Sequence, residues 1–260
     1  MVNYEFSLYT FEYFLMILVR VASFVYIAPF FGMNNTPGRV KIGFSAFLAI
    51  ILYQIIQPKE TLVYSGMIEF AIIALKEGIT GLLIGFAANI CNSIIVFSGK
   101  VIDMEIGLAM ANMFDPTTKS PSGLTGTMYN YFIMMLLIVT NMHHYILRAL
   151  VDTFQVIPVS GTAFDWNHLM GTMTMFVTDL MVIGFRIVLP VFACNMILSC
   201  ILGIMAKVAP QMNMFAVGMQ IKILMGFGIM FLTIVLLPDI SSFIFTEMKK
   251  MIVSMIEGMY

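Results

Sequence analysis

Charge is what this sequence has least of. Lys, Arg, Asp and Glu make up 10% of its 260 residues, against about 25% in an ordinary soluble domain. So few charges cannot coat a water-soluble enzyme of this length. Thirteen basic against fourteen acidic residues leave a formal charge of -1, which excludes the basic face that nucleic-acid binding requires. Cysteine is scarce as well. Cys91, Cys194 and Cys200 lie in apolar runs, without CxxC spacing or an even count, so neither a disulfide framework nor a zinc site is encoded. The chain has no glycine-rich phosphate loop, no HExxH pair and no evident nucleophile, so neither ATP chemistry nor an intramembrane hydrolase is supported. No Lys or Arg precedes Arg20. The basic start of a cleavable secretory signal is therefore missing, and the first apolar segment is expected to stay in the mature protein.

What the sequence has instead is apolar length. Hydrophobic residues make up 60% and the mean hydropathy is +0.97. Charge-free stretches run over 21–38, 42–58, 78–99, 120–147, 187–206 and 223–238. A membrane-crossing helix needs about 20 such residues, so the reading is all-α, with six long helices. Turn chemistry separates them: Pro29, Gly32 and Asn34 to Gly38, then Gln57-Pro58, Asp115-Pro116 with Ser120-Pro121, and the stretch from Pro158 to Asp165. No repeat or polar linker interrupts the chain, so 1–260 is expected to form a single domain.

The charges that remain are oddly placed. Lys and Arg divide five against four between alternate loops, which does not orient the chain. Arg20, Glu69, Lys76, Glu77, Asp179 and Arg186 interrupt apolar elements, each at a cost of roughly 2.5–3.5 kcal/mol at a lipid-facing helix centre. Such residues are expected at a protein interface or in a wet lumen.

Several patterns are candidates for function. Gly78, Gly81 and Gly85 share one helix face and allow close helix approach, either within the chain or against a partner. Twenty-six methionines gather near helix breaks and suit a surface that seals and deforms. Core filling explains them as readily, and a copper path would need paired Cys or His. His143-His144 lacks further ligands at metal spacing and reads as an interface pair.

Between two apolar helices, 107–123 cannot be regular helix, because Pro116 and Pro121 lack donors and restrict the residues before them. Met110, Met113 and Phe114 make it unusually apolar, and irregular backbone at membrane depth survives only buried or lining a cavity. A second break falls at Pro210, with Gln211 and Asn213 able to satisfy the freed backbone groups. Residues 238–260 form an amphipathic C-terminal helix. Its apolar face, from Ile240 through Met248 and Met255 to Met259, is expected on a neighbouring subunit or at the membrane interface.

Four blocks together carry a resemblance. They are Thr36 to Ile42; Asp103 to Gly107 with Phe114-Asp115-Pro116; His143-His144 with Leu150 to Pro158; and Ala209 to Gly218, which holds Pro210, Gln211, Asn213 and Phe215. In order and spacing the chain resembles the FliR/SctT family of the type III export apparatus over nearly its whole length. The resemblance implies kinked helical hairpins and a non-enzymatic export-gate subunit without cofactor. Its partners would be FliP-like and FliQ-like subunits, FlhB- and FlhA-like proteins, exported unfolded proteins and membrane lipid. The place implied is the bacterial inner membrane, at the basal body if the system is the more widespread flagellar one. It also implies a pore plug over 107–123, with Gly107, Met110, Met113, Phe114, Asp115, Pro116 and Gly123 as its residues. A small-solute or metal transporter is the alternative reading, on the strength of six apolar elements and buried charges such as Asp179 and Arg186.

Overall fold

A computed structural model describes residues 8–33, 36–56, 62, 64–109, 123–211 and 213–260, the side chains of Leu8, Met214 and Phe215 excepted. The described residues form helices and turns and no strand. In chain order the helices are α1 (Leu8–Ile27), α2 (Gly38–Ile55), α3 (Met67–Ala88), α4 (Ile90–Glu105), α5 (Gly123–Val139), α6 (Met142–Val156), α7 (Trp166–Val208), α8 (Met214–Thr233), a 3-10 turn (Ile234–Leu236) and α9 (Leu237–Glu257). Among the described residues five segments are long and apolar enough to cross a membrane, six if α5 and α6 count as one broken span. This is an integral-membrane type of helical protein.

The boundaries differ from the charge-free stretches for a physical reason. Arg20 and Glu77 lie inside α1 and α3, because each neutralises the other and neither ends its helix. Breaks fall instead at Asn89, where the backbone leaves helical geometry between α3 and α4, and at Asn141, whose left-handed φ of 57° separates α5 from α6. Asn accepts that region more readily than most residues. α7 runs for 43 residues and carries Pro190 within it, more than twice the length one bilayer requires.

The chain packs as two compact units, interleaved in sequence. One comprises Met1–Ile90, Asn141–Phe176 and Glu247–Tyr260. In it α1 and α2 form an antiparallel hairpin, with the Phe14 and Tyr53 rings edge to face at 6.0 Å and Phe31 stacked on Phe44 at 5.3 Å. α3 lies parallel to α1, Gly78 beside Val19 and Gly85 beside Phe24. Met16, Ile17, Phe24, Ile84, Ile146 and Leu150 are buried.

The end of the chain belongs to this unit too, contrary to the expectation that the apolar face of the C-terminal helix needs an outside partner. Met248, Met251, Met255 and Met259 are buried within the chain. Met259 and Gly258 carbonyls accept the Ala163 and Asp165 N–H groups at 3.2 and 3.0 Å, and Thr172 meets Ser254 at 2.8 Å. The connection between α6 and α7, with the first turns of α7, supplies the cover that a reading of the tail alone does not reveal.

The other unit comprises Cys91–Thr140 and Val177–Thr246. The Phe97 and Phe185 rings meet edge to face at 5.5 Å, the Ser98 hydroxyl lies 3.2 Å from the Gly184 carbonyl, and Gly99 of α4 crosses Gly126 of α5 in backbone contact. Much of α7, α8 and the 3-10 turn here is apolar and exposed, Ile197, Ile204, Leu224, Phe231, Leu232 and Val235 among them. Water does not tolerate a continuous surface of this kind.

Candidate functional site

The candidate plug, 107–123, starts and ends on positive-φ glycines: Gly107 at 87° and Gly123 at 70°. Met110, Met113, Phe114, Asp115 and Pro116 lie outside the described residues. Its two ends are nevertheless well placed, and Asp103 joins them. Asp103 stands one turn before Gly107 on α4, is buried, and accepts the Thr125 N–H through both carboxylate oxygens at 3.3 Å. Those oxygens occupy the free start of α5, where backbone donors have no partner within the helix and negative charge is favoured. Gly123 completes the joint, since a Cβ there would overlap the Asp103 carboxylate. Burial pushes the Asp103 carboxyl above the ordinary Asp range, with the hydrogen bonds from Thr125 acting in the opposite direction.

Two residues on, Glu105 ties the same end of α4 to α7. Asn195 Nδ2 donates to the Glu105 carbonyl at 2.6 Å and to its carboxylate at 2.9 Å. Ile106 fills the space left by Gly226 of α8, and Met219 lies beside Gly107. The start of the 107–123 segment is therefore held by three helices, although only Asp103, Gly107 and Gly123 stand out in the sequence.

In the first unit, the glycine stripe packs against α1. A Cβ on Gly81 would overlap the Arg20 carbonyl and the Ser23 hydroxyl, one on Gly85 would sit 3.0 Å from the Phe24 carbonyl, and Gly78 has ordinary clearance, 3.5 Å from Val19. This close approach brings Arg20 and Glu77 together, both fully buried, at 2.5 Å. The structure thus corrects the expectation that these two charges face an interface or a lumen. Arg20 Nη1 also donates to the Ile157 carbonyl at 3.0 Å, and its guanidinium lies 4.3 Å from the centre of the Phe154 ring. The second Glu77 oxygen accepts the Ser160 N–H at 3.0 Å.

Pro158 explains how Ser160 reaches that position. Gly161 N–H bonds back to the Pro158 carbonyl at 2.9 Å, making a tight turn with Ser160 at φ 72°. That conformation is uncommon for Ser and costs about 1 kcal/mol, offset here by the bond to Glu77. His143 lies 6.2 Å from Phe30 and 4.0 Å from His144, ring to ring. Among the described residues no group of three or more His, Cys, Asp or Glu is arranged to hold a metal ion.

At the second break, Pro210 and Gln211 are exposed between α7 and α8. Asn213 caps α8, its side-chain oxygen accepting the Ala216 N–H at 3.3 Å. Phe215 falls in the first turn of α8.

A family model described as bacterial export proteins, family 1, matches residues 11–248. The chain belongs to that family. Its relatives include the flagellar biosynthetic protein FliR of Bacillus subtilis (strain 168), 30% identical over 219 residues that cover 84% of each chain. FliR of Escherichia coli (strain K12) is 22% identical over 240 residues, covering 92% of this chain and 90% of its own. FliR of Borreliella burgdorferi is 27% identical over 230 residues, covering 84% and 81%. As a member of the bacterial export proteins, family 1, the chain is a component of a protein export apparatus, and its long apolar helices make it a membrane component.

Proposed function

We propose that this chain is a structural subunit of the flagellar type III export gate, which forms and plugs the conduit for unfolded proteins together with FliP-like and FliQ-like subunits. FlhB- and FlhA-like proteins attach to the assembly, which sits in the inner membrane at the basal body. The chain makes and breaks no bond, and the energy for export comes from its partners. The observation that carries this reading is the joint at Asp103. It fixes both ends of an apolar, proline-containing segment, so Met110, Met113 and Phe114 can seal an opening and shift while the helices stay in place. The exposed apolar length of α7 and α8 supports the assembly, since neighbouring subunits and lipid would cover it.

The test is one strain in which the interior of 107–123 is deleted. Recovery of the complex with FliP- and FliQ-like chains, together with raised permeability to ions and small molecules, is the expected result. A well-assembled, tight pore without this segment would sink the plug assignment. A solitary oligomer that moves a solute would replace the export gate with the transporter reading.

A further inference from the structure

α7 carries a charge that its own chain leaves unanswered. Arg186 stands near the middle of that helix and is exposed, not buried. Among the described residues its side chain makes no ion pair and no hydrogen bond. The acidic groups of the same unit do not answer it. Asp103 holds Thr125, Glu105 holds Asn195, and neither Asp179 nor Asp239 pairs with it. Pro190, one turn on and also exposed, has no N–H, so the Arg186 carbonyl loses the helical donor that residue 190 would otherwise supply. One turn of an exposed helix face thus presents a guanidinium without an acceptor and a carbonyl short of its donor.

The surroundings make that combination costly. Val182, Leu189, Ala193, Ile197 and Ile204 follow the same face as Arg186 at helical spacing, and all are exposed. A bare guanidinium among acyl chains is unfavourable, and at the border of a span it escapes by snorkelling to the headgroups. Arg186 does not stand at such a border. Exposed apolar residues continue along α7 on both sides of it, back to Met170, about four turns before, and on to Ile204, about five turns after. Lipid offers neither a carboxylate nor a donor at that depth, whereas the polar groups of a packed helix offer both.

We infer that this face of α7 docks a membrane helix of an accompanying subunit, apolar along its length except for one Asp or Glu at mid-span, whose carboxylate takes the Arg186 guanidinium. The planar fork of Arg suits such a carboxylate, and Ala193 lets the second helix come close. A hydroxyl or amide beside the acid supplies the donor for the Arg186 carbonyl. This deepens the export-gate reading and rests on it, since it gives the chemistry of a subunit that covers α7.

The experiment recovers the membrane complex in mild detergent through a tag on the full chain. Arg186→Leu lowers the recovery of one accompanying subunit by about tenfold, because the carboxylate of that subunit is left without its counter-charge. Arg186→Glu abolishes it. Arg186→Lys keeps the charge without the fork and falls between the parent and Arg186→Leu. Thermal unfolding of the full chain is unchanged in Arg186→Leu, because Arg186 has no partner within the chain, and this variant carries the test if Arg186→Glu does not fold. A photo-crosslinking residue in place of Leu189 identifies the subunit, and exchanging its mid-span acid for Arg restores recovery with Arg186→Glu. Unchanged subunit recovery with folded Arg186→Leu would overturn the proposal. Crosslinks from position 189 to phospholipid alone, or loss of phosphatidylglycerol in place of a subunit, would overturn it in favour of a lipid phosphate. A parent chain that brings down no other subunit would overturn the export-gate reading itself, whereas a parent that assembles beside an equally assembled Arg186→Leu overturns only this inference.

Discussion

Arg20 and Glu77, 57 residues apart in sequence, form an ion pair at 2.5 Å with neither side chain exposed. The pair sets the register of two parallel helices, and its other bonds, to Ile157 and Ser160, fasten a distant loop to them.

Removing one partner strands the other charge. Glu77→Leu should therefore destabilise the protein by about 3–5 kcal/mol. The double change Arg20→Met with Glu77→Leu should cost clearly less, with part of the loss remaining because Ser160 N–H and the Ile157 carbonyl lose their partners. Unfolding midpoints of the three proteins in one detergent decide it. A double variant as unstable as the single one would show that the charges do not act as a pair.

The glycine stripe should respond in a graded way. Gly78→Ala fits the space beside Val19 and should be neutral or stabilising, by up to about 1 kcal/mol. Gly81→Ala meets backbone that cannot give way and should cost about 1–3 kcal/mol. Equal stability of the two variants would mean that α1 and α3 separate without penalty.

At the Asp103 joint, Gly123→Ala combines a positive φ with overlap against the carboxylate and should cost about 2 kcal/mol or more. Asp103→Ala leaves the Thr125 N–H unpaired, at about 1–3 kcal/mol. Both variants should assemble at reduced yield and leak small molecules. Parental tightness in folded Asp103→Ala would separate the joint from closure.

Asp103 should also leave a mark on the pH dependence of stability. Its folded carboxyl holds a proton to higher pH than the unfolded one. Its contribution to folding is thus present while the proton is bound and is lost as pH rises through the window just above the ordinary value of about 3.9. Asp103→Asn still offers an oxygen to Thr125 but does not titrate. Subtracting its stability from the parent's between pH 4 and 7 should leave a difference that falls as pH rises. A flat or rising difference would count against a desolvated carboxyl.

Helical class and apolar length are legible in the sequence because both follow from local composition. The segment bounded by Gly107 and Gly123 is legible too, because proline and glycine act locally. Pairings are not. Nothing near Arg20 announces Glu77, nothing near Asp103 announces Thr125, and Asn195 is an unremarked polar residue until Glu105 meets it. The apolar face of α9 misleads for the same reason: its cover comes from the α6–α7 connection and the start of α7, over eighty residues upstream, as the bonds from Ala163 to Met259 and between His168 and Ser254 illustrate. A turn can be read where it stands, whereas a contact depends on the helices that carry it.

The interleaving of the two units has a consequence for synthesis. Unit one begins with α1 to α3 and is completed by 247–260. At about 5–20 residues per second on the ribosome, the interval between residue 90 and that closing segment lasts on the order of 10–30 s. During it α1 and α3 can pair through Arg20 and Glu77, the second Glu77 oxygen waits until Ser160 is made, and from then on the bed that 163–172 provide for the last turns of the chain lies open until 247–260 arrive. The nascent chain is most vulnerable in that interval, and a chaperone or an early partner subunit that shields the bed would set the yield of finished protein.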